Sequence, residues 1–113
     1  MQSIDDENKK VVMTYFEYLF ENYEQMKIYA HHKGEEYEIH RTVAKQRLKA
    51  FHKTLESLDD ETMAIIRGKY WGDGKELSWN AYAKKIGYQP KKLYRLRERV
   101  IWMFVTLCGE DFW

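Results

Sequence analysis

At 113 residues and 13.8 kDa, with a net charge of +1, the chain fits one domain of ordinary size or a small domain with an extension. Its single cysteine excludes an intrachain disulfide and a cysteine-rich zinc site. No apolar run approaches bilayer length, and the opening MQSIDDENKK lacks the basic-then-apolar order of a signal peptide, so an intracellular binding module is expected.

Residues 9–30 carry Val12, Phe16, Leu19, Tyr23, Met26 and Ala30 at alternating steps of four and three, which predicts one long helix. Tyr15, Tyr18, Phe20 and Tyr29 widen that face. Most of these rings should fill the core, and any apolar surface left over would mark a face for a homodimer or partner. Residues 1–26 hold six acidic and two basic side chains, and this balance of −4 argues against phosphate contact there. His31 to Glu36 reads as a connection turning at Gly34. A second helix over 37–57 places Ile39, Val43, Gln46, Ala50, Thr54 and Leu58 at helical spacing, with Phe51 and Leu55 thickening the stripe. Its other face bears Arg41, Lys45, Arg47, Lys49, His52 and Lys53. Such a face is ordinarily solvated, and a supplementary contact to a nucleic-acid backbone is the sharper reading.

A third, short helix is predicted over 58–71: Asp59 or Asp60 can cap it, Glu61 complements its dipole, and Met63, Ile66 and Tyr70 form its stripe. Gly72-Asp73-Gly74 then stops the chain. The stretch LSWNAYAKKIGYQPKKLYRLR, residues 77–97, is the most informative of all. Ser78 is an N-cap residue ahead of Trp79, Tyr82, Ala83 and Ile86, which recur at helical spacing. Gly87 follows, where helices end on a left-handed residue, and Pro90 suits the first turn of the next helix. Leu93, Leu96, Val100 and Phe104 give that next helix a face to lay back on its predecessor. Ala83, four residues before the glycine, leaves room for two helices to cross closely. The outward face offers Gln89, Lys91, Lys92, Tyr94, Arg95, Arg97 and Arg99. Residues 75–100 hold eight Lys/Arg against two Asp/Glu, a local balance of +6, whereas the whole chain carries only +1. That concentration is the electrostatic footprint of a nucleic-acid binder.

Acidic cap, short helix ending in Tyr70, glycine turn and helix-turn-helix together resemble region 4 of the bacterial sigma-70 family, over Leu58 to Phe104. The likeness rests on Leu58, Asp59-Asp60-Glu61, Ile65-Ile66, Tyr70, Leu77-Ser78, Ala83, Ile86-Gly87-Tyr88, Leu93 and Arg97. The chain has no room for the part of a sigma factor that melts DNA. With a helical N-terminal half, Ser78-Trp79 and the Leu93–Arg97 run, it is similar to the ArpU and RinA-like regulators of phage and prophage late genes. The resemblance implies an all-α fold: an N-terminal helical hairpin over 1–57 for packing, dimerisation or partner contact, and a DNA-binding helix-turn-helix over 58–113. It implies a sequence-specific regulator of transcription in the cytoplasm of a bacterial host, at the nucleoid, with double-stranded DNA as partner and RNA polymerase and a second copy as further candidate partners. Gln89, Lys91, Lys92, Tyr94 and Arg95 would meet base edges or the groove, and Ser78, Lys84, Lys85, Arg97 and Arg99 would grip phosphates.

Two further readings stand beside this one: a factor that binds RNA polymerase or another regulator through the same module, and a phage small terminase subunit. Other chemistry has little support. No phosphate loop, nucleophile elbow or zinc-protease motif occurs, and neither catalysis, a cofactor nor a metal site is expected. His31 and His32 are adjacent, which on a helix points them apart, and His40 and His52 are too distant along theirs. Cys108 lies in the apolar run IWMFVTLC and reads as a buried thiol, while Phe112-Trp113 is expected to dock onto the body of the protein or onto a second copy.

Overall fold

Six helices and one 3-10 turn form within residues 6–110, which the computed structural model describes. They are α1 (Asp6–Glu21), α2 (Tyr23–Ala30), α3 (Glu38–Glu56), α4 (Asp60–Trp71), α5 (Trp79–Ile86) and α6 (Pro90–Glu110), with the 3-10 turn at Glu35–Tyr37 leading into α3. No strand occurs among the described residues, so the fold class is all-α as the periodicity predicts. The expected docking of Phe112 and Trp113 lies outside the described residues.

The single helix predicted over 9–30 is two helices. Asn22 interrupts it at φ −105°, ψ 40°. Its backbone N–H and its side-chain Nδ2 both donate to the Tyr18 carbonyl at 2.9 Å. An asparagine bonded back onto the preceding turn offers the chain an alternative to helix propagation. The carbonyl of Glu21, next to the break, accepts a 2.8 Å hydrogen bond from Trp71 Nε1 on α4. Phe20 thereby becomes a centre of the core: it is fully buried, edge-on to Phe51, Tyr70 and Phe104, and stacked on Trp71. Met26 and Ala30 are buried as the stripe predicts, and Phe16, Leu19 and Tyr23 pack against the core.

Helix α3 matches its expected span closely, and Ala50, Phe51 and Thr54 are buried as the spacing predicts, whereas Ile39 at its start is not. Ile39 is 77% exposed, while Ala44 is buried as well. Helix α3 is packed between α2 and α6. Arg41 closes the preceding loop by donating from Nη1 to the carbonyls of His32 at 2.7 Å and Gly34 at 3.2 Å.

The third helix begins with a side-chain cap, since Thr62 N–H donates to Asp59 Oδ1 at 2.7 Å. That bond, on an exposed carboxylate, holds Asp59 below its ordinary pKa. After Gly72-Asp73-Gly74 the chain turns under Tyr82, whose hydroxyl donates to the Ile65 carbonyl at 2.8 Å. A Cβ on either Gly68 or Gly74 would run into the Tyr82 side chain, so both glycines make room for that ring. One hydrophobic cluster joins Phe20, Met26 and Phe51 to Ile66, Tyr70, Tyr82, Ala83, Leu93, Val100 and Phe104, and reaches Cys108 near the end of α6. Helix α6 is its axis, packed on α1, α3 and α5.

Candidate nucleic-acid interface

Two short-range features fix how α5 meets α6. Ser78 caps α5, its Oγ accepting from Ala81 N–H at 3.1 Å. At the other end Gly87 is left-handed, φ 71° and ψ 32°, with nothing within 4 Å of where a Cβ would stand. Tyr88 N–H reaches back to the Ala83 carbonyl at 2.8 Å and Gly87 N–H to that of Lys84 at 3.3 Å, satisfying carbonyls the helix end would orphan. Pro90 then opens α6, where its missing N–H costs nothing. Ala83 is fully buried against this corner, and only its small side chain lets the helices approach.

Beyond the turn, α6 is divided lengthwise. Leu93, Leu96 and Val100 are buried. Gln89, Lys91, Lys92, Arg95 and Arg99 are exposed, and Tyr94 shows about a third of its surface. Lys84 and Lys85 are exposed on the last turn of α5 beside them. Lys92 Nζ lies 5.1 Å from the centroid of the Tyr88 ring, which restrains one of these cations. Arg99 is near enough to Asp59 for its charge to help keep that carboxylate ionised. Sequence reasoning passed over Asn80, exposed one turn ahead of Lys84 on α5, which extends the polar face. Its signal was available: a polar residue four before a lysine in a helix with a buried opposite side.

Arg97 stands apart from the phosphate-gripping group in which the sequence places it. Its guanidinium donates from Nε to Glu17 Oε2 and from Nη2 to Glu17 Oε1, both at 2.7 Å, a two-pronged ion pair across to α1. Tyr70 donates its hydroxyl to the same Oε2 at 2.6 Å. The guanidinium also lies 5.3 Å from the Trp79 ring centroid, with Lys69 Nζ 5.1 Å from that centroid. Lys69 is itself buried. Burial pushes the Glu17 carboxyl up, but the hydrogen bonds from Arg97 and Tyr70 and the charges of Arg97 and Lys69 outweigh it, so its pKa lies below the ordinary value. The Glu17 bond raises Arg97, and burial followed by the Glu17 charge raises Tyr70. Arg97 is thus held on the flank of α6, pinning this helix to α1 and α5, and its outer surface is left to Lys91, Lys92, Arg95 and Arg99.

In comparison with known proteins, no family model, curated protein or solved structure matches this chain. The chemistry of the surface therefore carries the functional reading. Among the described residues no group of three His, Cys, Asp or Glu side chains is placed to hold a metal ion. No helix among them is long and apolar enough to cross a membrane. The α5–α6 surface presents hydrogen-bond donors and positive charge from Lys84, Lys85, Lys91, Lys92, Arg95 and Arg99.

Proposed function

We propose that the chain is a sequence-specific double-stranded-DNA-binding regulator of transcription, acting on a phage or prophage late operon, with α5–α6 as its helix-turn-helix. The observation that supports it most is the exposed, cationic opening of α6, set just after a left-handed glycine and backed by a buried apolar side. In this docking mode the start of the second helix enters the major groove while the first crosses the backbone. Gln89 and Arg95 are the side chains able to make paired hydrogen bonds to adenine and guanine edges. Lys91, Lys92 and Tyr94 flank them in the groove. Lys84, Lys85, Arg99 and the hydroxyl of Ser78 meet phosphates. Arg97 acts at one remove, through its hold on the orientation of α6.

Selection of bound fragments from randomised duplexes tests this directly. The expected result is enrichment of one defined site, with protection of that site in footprinting of the parent genome. Binding that is indifferent to sequence, alongside retention of RNA polymerase subunits on the immobilised protein, would instead assign the cationic face to a protein partner.

A further inference from the structure

The ion pair between α1 and α6 grips the proposed reading helix away from its exposed side. At about 100° per residue, Lys91, Lys92, Arg95 and Arg99 share one side of α6. Arg97 leaves the helix on another side, close in angle to the buried Leu93, Val100 and Phe104, and meets Glu17 there. We infer that Glu17 is a specificity-determining residue that acts by position. Through Arg97 it fixes the rotation of α6 about its own axis, and so which base edges Gln89 and Arg95 can reach. The inference rests on the DNA-reading function proposed above. It extends that function to α1, a helix that carries none of the proposed contacts.

One carboxylate gathers four helices. Oε1 of Glu17 accepts from Arg97 Nη2, and Oε2 accepts both from Arg97 Nε and from the Tyr70 hydroxyl on α4. The same guanidinium lies over Trp79, the first residue of α5. Lys69 Nζ is close to that ring too, and the Glu17 charge offsets the repulsion between the two cations. The apolar side of α6 holds the helix down, but burial by itself is non-directional. A two-pronged guanidinium–carboxylate pair fixes direction as well as distance.

The tolerance for rotation is small. A turn of about 15° would move a side-chain tip ~6 Å from the helix axis by ~1.5 Å. Hydrogen bonds to a base edge hold over a range of only about 0.5 Å. A partly buried ion pair adds little net stability over apolar residues of the same volume, so orientation is the main effect of this one.

Competition binding by the full chain is the test. It uses the duplex that selection enriches and a scrambled duplex of equal length, at a temperature where circular dichroism shows each variant as helical as the parent. Arg97→Lys keeps the charge but loses the two-pronged geometry. Glu17→Gln removes a negative charge, so electrostatics alone would tighten binding to any duplex. Each should lower the ratio of specific to scrambled affinity by roughly tenfold or more, the discrimination that one paired base contact carries. Neither should weaken binding to the scrambled duplex. Tyr70→Phe removes one of the three hydrogen bonds to the carboxylate and should lower the ratio less. It decides the matter if the other two variants lose helicity. Ala50→Gly, a destabilising change on α3 away from the ion pair, should leave the ratio as it is. A ratio kept by both Arg97→Lys and Glu17→Gln overturns the inference, as does one that falls as far in Ala50→Gly. So does an equal loss of affinity for both duplexes in Arg97→Lys, which would make Arg97 a phosphate contact, or an equal gain on both in Glu17→Gln. A parent chain with no preferred duplex sinks the DNA reading itself, and is distinguished because the parent alone shows it.

Discussion

Arg95 and Arg97 stand two positions apart on one helix, yet their surroundings assign them opposite work. Arg95 is exposed. On the proposed function, Arg95→Ala should leave the unfolding midpoint unchanged, weaken DNA binding by roughly 1–3 kcal/mol and relax preference at a single base pair. An equal loss on every sequence would show a phosphate contact instead. Arg97→Ala and Glu17→Gln should each cost about 2 kcal/mol of stability, because a charged, partly buried hydrogen-bonding group is left unpaired. Urea unfolding at pH 7 measures this, and variants as stable as the parent would contradict the ion pair. The pH dependence has a definite sign. Glu17 is held below its ordinary pKa of 4.5, so its contribution is fully present above that pH and is lost as pH falls through the lower folded value. Glu17→Gln should flatten that acid limb. Nothing near Arg97 in the sequence announces its partner, which lies 80 positions away. For that reason local reading placed it with the phosphate contacts.

Helix boundaries were most legible where a single side chain or glycine decides them. Asp59, Ser78 and Gly87 each occupy the capping position that their chemistry predicts. Gly87→Ala should destabilise by about 1 kcal/mol, since an L side chain must enter the left-handed region although no atom obstructs it. Gly74→Ala should cost more although its backbone is not left-handed, because its Cβ would run into the Tyr82 ring. Thermal denaturation of the two variants side by side checks the order, and equal midpoints would refute it. The break at Asn22 was illegible for a physical reason. Apolar spacing runs through it without a change of phase, and a lone asparagine, though a poor helix former, is a weak signal against so regular a stripe. What ends α1 is a set of bonds, to the Tyr18 carbonyl and from Trp71, of which the second becomes possible only once α4 is in place.

For the molecule as a whole, periodicity was enough to predict an all-helical chain, and the concentration of charge after residue 75 was visible by counting. Beyond the α5–α6 corner, how the elements would be laid on one another was not visible, since aromatic contacts such as Phe20 with Phe104 join residues that no spacing rule connects. If Lys84, Lys85 and Arg99 meet phosphates, log affinity should fall with log salt with about −0.9 of slope from each cation. Lys84→Ala should make the measured slope shallower by that amount, and an unchanged slope would remove Lys84 from the contact set. One last property follows from the burial of Cys108, which is 3% exposed and is the sole cysteine of the chain. A thiol reagent can modify it only during excursions that lift the far end of α6. The labelling rate, divided by that of the unfolded chain, therefore times the breathing of the scaffold itself, with no engineered probe.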